Sequence, residues 1–306
     1  MRRKSILNEK VLQNITTQEV INKFTRHCVV KNLSQKTIKY YQDNFTYFNS
    51  IIPNTYISEI TISALEDFVF AKKEKCKKVV TINSELRAMR ALLYFAMERG
   101  YIDGFNINLL KDDSIQKEPY SNIELAKLLK KPKSKNWVEW RNWAIVNYLL
   151  ATGNRVGTVV NIQIKDLDFE NNRIILYHNK NRKQQIIPLS ITLKTVLKEY
   201  LSTWEYTNED YLFPQYEGKQ MAERTMQQAI NKYNKSRGVS KTSVHLFRHT
   251  FAKNYVMAGG KVEKLQRLLG HSSITMTMHY INLYGTDLAN DYDSFNPLNN
   301  ILKAIS

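Results

Sequence analysis

Apolar side chains recur at three- and four-residue steps through most of this chain, a period that builds helices and leaves little room for an extended sheet. Residues 34–50 carry Ile38, Tyr41, Phe45 and Phe48 on one stripe. Segments 16–30, 61–72 and 81–98 repeat the pattern, the last running into Gly100, which suits a helix C-terminus. These amphipathic helices suffice for a small bundle. The polar stretch KDDSIQKEP (111–119) then interrupts the period and ends in proline, as a linker does. Directly after it, Ser121 and Glu124 form S-x-x-E ahead of an apolar run, the signature of a capping box that opens a new helix. The chain therefore divides into an N-terminal segment (1–15), a helical domain (16–110), a linker (111–119) and a second domain beginning at 120. Its 306 residues suit about two domains.

The second half is mixed. WVEWRNWAIVNYLLAT (137–152) predicts a strongly apolar helix that stops at Gly153. Ile174 to Tyr177, and then Ile186, Ile187 and Leu189, flank HNKNRKQQ, so two β-favouring runs enclose a polar, Asn-rich turn and predict a hairpin. The helical period returns at 190–204, 222–236, 245–258, 261–269 and 273–282. In the tail, 286–306, Leu298, Ile301, Leu302 and Ile305 share one face. The expected fold class is mainly α with a small β-hairpin or sheet.

Charge and composition narrow the function. Lys and Arg number 45 against 28 Asp and Glu, a net charge of +17 spread over both halves of the chain. Such a field is the footprint of a nucleic-acid binder. With 43% hydrophobic residues the chain can bury a normal core, which excludes general disorder. No run approaches the roughly 18 apolar residues of a transmembrane helix. The opening MRRKSILNEKVLQ has no apolar region of a secretory signal. Cys28 and Cys76 lie far apart, so a reduced, cytoplasmic setting is expected. With neither a Gly-rich phosphate loop nor an acidic cluster at metal spacing, no cofactor, metal or nucleotide is expected.

Three segments carry chemistry. In ATGNRVGTVVNIQIKDLDF, Arg155 follows Gly153 at a helix end and Asp166 comes later. The hairpin tip HNKNRKQQ offers Lys180, Arg182 and Lys183. In HLFRHTFAKNYVMAGGKVEKLQRLLGHSSITMTMHYINL, His245 and Arg248 form H-x-x-R, His271 ends L-G-H, and Tyr280 follows nine residues later. Taken together, these motifs resemble the tyrosine recombinase/integrase family, the group of Xer recombinases and of phage and transposon integrases. The match by motif covers about 120–285, with 16–110 as the helical core-binding domain that precedes it.

The resemblance implies a site-specific DNA recombinase that cuts and rejoins strands through a 3′-phosphotyrosine. Tyr280 would be the nucleophile. Arg155 and Arg248 would grip the phosphate, as planar and always-charged guanidiniums can. His245 and His271 would donate hydrogen bonds or assist proton transfer. Lys180 would protonate the leaving sugar oxygen, with Lys183 and Arg182 as alternatives on the same tip. One departure stands out: the first box usually reads T-G-x-R-x-x-E, and here Thr158 holds the acid position, leaving Asp166 to brace the arginine pocket. Two other functions fit the same residues, a DNA-binding architectural or regulatory protein with a vestigial site, and a strand-passage enzyme of the type IB topoisomerase kind.

The family further implies two domains closing on duplex DNA as a C-shaped clamp, with a homodimer on one site and a tetramer in synapsis. The short N-terminal segment points to simple inverted core sites on double-stranded DNA, with no membrane partner. Helix 222–236 places Arg224, Gln227, Gln228, Asn231 and Lys232 on its polar side, where they would read bases, alongside Arg182 and Lys183 from the hairpin. The tail would dock on a neighbouring protomer or fold back on its own domain.

Overall fold

The structure, a computed structural model, describes residues 15–75, 78–112, 118–177 and 184–282, with the backbone alone for 279–282. Segment 1–14, most of the expected linker, the hairpin tip with Lys180, Arg182 and Lys183, and the tail 286–306 lie outside the described residues. The chain divides into two compact units, Met1–Ile115 and Gln116–Ser306.

The first unit is built of α1 (Thr17–Val30), α2 (Gln35–Ile51), α3 (Ile62–Glu74) and α4 (Val79–Glu98). Each of the first three opens on a Ser or Thr whose hydroxyl accepts from a backbone N–H of the first turn: Thr16, Ser34 and Thr61. Thr16 adds a full capping box with Glu19. The apolar stripes meet in a core of Phe24, Phe45, Phe48, Phe68, Leu86 and Leu93, all buried. Lys72 is buried with them, its Nζ 2.7 Å from Glu85 and 3.9 Å above the centre of the Tyr47 ring. Carboxylate and ring together offset the cost of removing its charge from water.

The second unit opens with α5 (Asn122–Leu129), and the capping box read from Ser121 and Glu124 is present in both directions. Next comes α6 (Trp137–Thr152), buried on nearly every side. It is the central helix, and α5, α8 (Ile191–Leu201), α9 (Glu223–Ser236) and α10 (Val244–Met257) all pack on it. That placement explains its strongly apolar sequence, since a helix covered on most sides has little face to keep polar.

Between α6 and α8 lie α7 (Val156–Val159) and a three-stranded antiparallel sheet in the order β1 (Leu167–Asp168), β2 (Arg173–Leu176), β3 (Gln185–Pro188). The hairpin expected from the β-favouring runs is β2–β3, in the register Ile174↔Ile187 and Leu176↔Gln185. Ile174, Leu176 and Ile187 turn into the core, while Ile186 faces outward, as the period of two requires. Strand β1 was not anticipated. At two residues it has no periodicity of its own and exists through pairing with β2. The chain ends its described course in α11 (Val262–Leu269) and α12 (Ile274–Asn282), which pack on each other and on α10.

Candidate active site

The site assembles around the end of α6. Gly153 closes this helix in a left-handed conformation (φ 61°), which glycine adopts without strain. It is required sterically as well: a Cβ there would lie 2.5 Å from Phe251 Cδ1 on α10 and 2.9 Å from Leu269 Cδ2 at the end of α11. Because Gly153 is small, α10 and the α11 terminus both close on this corner. Arg155, two residues on, starts α7 and reaches over the same corner, its Nη1 3.4 Å from the carbonyl of Leu269.

Arg248 enters from α10 and is buried. Its Nη1 donates to the Gly153 carbonyl (2.8 Å) and its Nη2 to the Leu269 carbonyl (2.9 Å). The same Nη2 lies 2.6 Å from His271 Nε2. Backbone carbonyl oxygens hold this buried guanidinium, and such neutral acceptors orient it without cancelling its charge. Positive charge is thus concentrated where an anion can be received.

His271 follows Gly270, the left-handed cap of α11 (φ 62°). A Cβ on Gly270 would meet Gln185 Oε1 at 2.9 Å. Gln185, on β3, donates from Nε2 to the carbonyls of Arg267 (2.6 Å) and Leu268 (3.0 Å). The base of the hairpin is therefore stitched to the helix end that presents His271. The ring is buried, and burial, followed by the charges of Arg248 and Arg155, pushes its pKa down to about 4. It is neutral at ordinary pH. Its Nδ1 lies 2.8 Å from the hydroxyl of Thr277, a wholly buried residue on α12.

His245, at the start of α10, is exposed at one edge, yet its pKa also lies below the ordinary value. Partial desolvation comes first, then Arg248 and Arg155, with Glu223 acting in the opposite direction. Glu223 opens α9, and its carboxylate lies over α7: a Cβ on Gly157 would sit 3.4 Å from it. Thr158, where the family motif has an acid, is buried on α7. A carboxylate thus faces this region from a different helix, which no local spacing in the sequence indicated. Asp166, expected as the brace, is buried, and its Oδ2 accepts from the Gln163 amide (2.9 Å) to cap the turn Ile164–Asp166.

The structure therefore brings together Arg155, His245, Arg248 and His271, from three separate stretches of chain. Tyr280 lies on α12, one turn beyond Thr277. Its side chain, like Lys180, Arg182 and Lys183, is outside the description. Beside His245 opens a cleft of about 780 Å³ lined by Arg224, Gln227, Gln228 and Asn231 of α9 and by Lys241. Lys232 is exposed on the same helix and does not line this cleft. Among the described residues, no three His, Cys, Asp or Glu side chains gather where they could hold a metal ion.

Known proteins resemble this chain in sequence and in fold. Residues 121–286 match the phage integrase family. Tyrosine recombinase XerC of Thermodesulfovibrio yellowstonii is 26% identical over 298 residues, covering 92% of this chain and 97% of its own. The Tn1549 transposon integrase, solved in complex with circular intermediate DNA, superimposes with a TM-score of 0.71 at 25% identity, covering 87% of this chain and 95% of that one. A lambda integrase tetramer bound to a Holliday junction shares the fold at 16% identity, with a TM-score of 0.69 over 92% of this chain and 81% of that one. With more than half its length inside the matched region, this chain belongs to the phage integrase family of tyrosine recombinases.

Proposed function

We propose that this protein is a site-specific DNA recombinase that cuts and rejoins strands through a covalent 3′-phosphotyrosine, needing neither metal nor nucleotide. The observation that carries this reading is the convergence of Arg155, Arg248, His245 and His271 beside the helix that bears Tyr280. The Tyr280 oxygen attacks the scissile phosphorus and yields its proton to His245, the bond to the 5′ oxygen breaks, and that oxygen leaves with a proton from Lys180. The reverse attack by a 5′ hydroxyl of another strand reseals the backbone and frees the tyrosine. A phenol is a better-stabilised oxyanion than an aliphatic alkoxide, so it needs modest activation. Charge developing on the non-bridging oxygens meets two guanidiniums, the kind of pre-aimed stabilisation that a metal pair supplies elsewhere.

The cleft along α9 supports base contact by Arg224, Gln227, Gln228 and Asn231, since Arg suits guanine and Gln or Asn suits adenine in the major groove. With the net charge of +17, it favours a double-stranded DNA partner. Inverted core sites, a dimer on each and a tetramer in synapsis complete the reading, the last an assembly in which lambda integrase has been seen on a Holliday junction.

The test uses a nicked duplex selected from a random-sequence pool by binding to the full chain. Wild-type protein in EDTA should give a protein–DNA adduct on a denaturing gel. Tyr280→Phe should give none while binding with unchanged affinity. Adducts formed by Tyr280→Phe, or a strict magnesium requirement for cleavage, would overturn the reading.

A further inference from the structure

Taking Tyr280 as the nucleophile proposed above, we infer that Thr277 is a positioning residue: its hydroxyl sets the tautomer of His271 and thereby ties the aim of Arg248 to the seating of the helix that carries Tyr280.

The proton count on the ring leads there. A guanidinium has five donors and no acceptor. At 2.6 Å from Arg248 Nη2, His271 Nε2 must therefore present its lone pair. In a neutral imidazole the proton then sits on Nδ1, and Nδ1 can only donate. Thr277 Oγ1, 2.8 Å away, is its acceptor. Burial and the neighbouring cations hold the ring neutral, so a doubly protonated form does not compete near neutral pH. The charged groups acting on the ring are Arg248 from α10 and Arg155 from the start of α7.

A linear chain results: Thr277 accepts from His271, His271 accepts from Arg248, and Arg248 is also held by the Gly153 and Leu269 carbonyls. The two carbonyls belong to α6 and α11, fixed parts of the scaffold. Thr277 belongs to α12 and lies one turn before Tyr280. With α12 seated, Nε2 is a lone pair and steadies one edge of the guanidinium. With α12 displaced, Nδ1 loses its acceptor. The ring is then free to carry its proton on Nε2, which points a hydrogen at a guanidinium and repels it. The phosphate grip and the seating of the nucleophile's helix are thus set together. The wholly buried Thr277 hydroxyl has, in this arrangement, a use beyond packing.

The experiment pairs Thr277→Val, which keeps the shape and removes the acceptor, with Thr277→Ser, which restores it. Nitrogen-15 NMR of His271 in the full chain should show protonated Nδ1 and bare Nε2 in wild type. In Thr277→Val, protonated Nε2 should grow, and single-turnover cleavage of the selected nicked duplex should slow about three- to tenfold, the worth of one neutral hydrogen bond. DNA binding should change by less than about twofold, because the net charge is untouched. Thr277→Ser should recover both tautomer and rate. Protonated Nε2 in the wild-type protein overturns the proposal, and so does a Thr277→Val protein with unchanged tautomer and rate. Should Thr277→Val not fold, the wild-type tautomer and the Thr277→Ser rate decide. The NMR result does not depend on which residue attacks DNA, so a failure of the nucleophile assignment shows separately, as adducts in Tyr280→Phe.

Discussion

His271 should make this protein acid-labile in a window that its surroundings define. In the folded state, burial and the charges of Arg248 and Arg155 depress the ring's pKa from 6.5 to about 4. In the unfolded chain the ring takes a proton at its ordinary value. Above about pH 6.5 both states carry a neutral ring and the native bonds stand at full strength. As pH falls below that value the unfolded chain binds a proton that the folded one refuses, and stability declines until the folded pKa is reached. A shift of this size is worth about 3 kcal/mol at its limit, and about 2 kcal/mol of it is lost between about pH 7 and pH 5. That is a large fraction of a domain's margin. Urea unfolding followed by tryptophan fluorescence across this range measures it, with Trp140 and Trp143 reporting from the central helix. The comparison is His271→Gln, which keeps an acceptor for Arg248 but does not titrate. Carboxylates that titrate in the same range cancel in the difference. The two proteins should diverge in slope, wild type falling more steeply toward acid. Parallel slopes would refute the reasoning, because the ring would then not be held neutral by its partners.

Gly153→Ala should cost about 2 kcal/mol or more, since it forces a side chain into both a left-handed backbone and the Phe251 ring. Cleavage should fall further than the drop in Tm explains, because Arg155 and Arg248 both reference this corner; a neutral result would remove the steric account. Arg155→Ala should slow cleavage on the order of a hundredfold, and Arg155→Lys should not restore it, since an ammonium cannot hold two phosphate oxygens in one plane. Wild-type rates with lysine would rule out a bidentate grip. Glu223→Gln should lower the pKa of His245 further, because it removes an acidic group that acts on that ring against the two arginines. NMR titration of His245 checks this, and an unmoved or raised pKa would contradict it.

Local regularities of the sequence were legible wherever the physics is local. The boundaries of α2, α6, α9 and α11 fall within a residue or two of the apolar periods that foretold them. The Ser121/Glu124 box is a three-residue device complete in itself. Strands β2 and β3 were readable from β-branched runs around a turn, whereas β1 was not, since two residues gain strand geometry only from a partner. Lys72 reads as a solvated charge in sequence. It is buried because Glu85 and Tyr47, from α4 and α2, come to it in space.

The candidate site divides in the same way. The resemblance to the family's motifs, taken jointly, picked out Arg155, His245, Arg248 and His271, none of which stands out singly. It could not show Glu223, Gln185 or Thr277, whose importance lies in what they face: α7, the end of α11 and the His271 ring. By itself, then, the sequence determined the helical elements, their caps, the basic charge and the identity of the motif side chains, because these follow from neighbours along the chain. Tertiary structure alone decided that Gly153 lets α10 and α11 close on one corner, that two arginines meet there on carbonyl oxygens, and that His271 is kept neutral. Burial and Coulomb interactions act through space, between residues that the chain keeps from 21 to 114 positions apart.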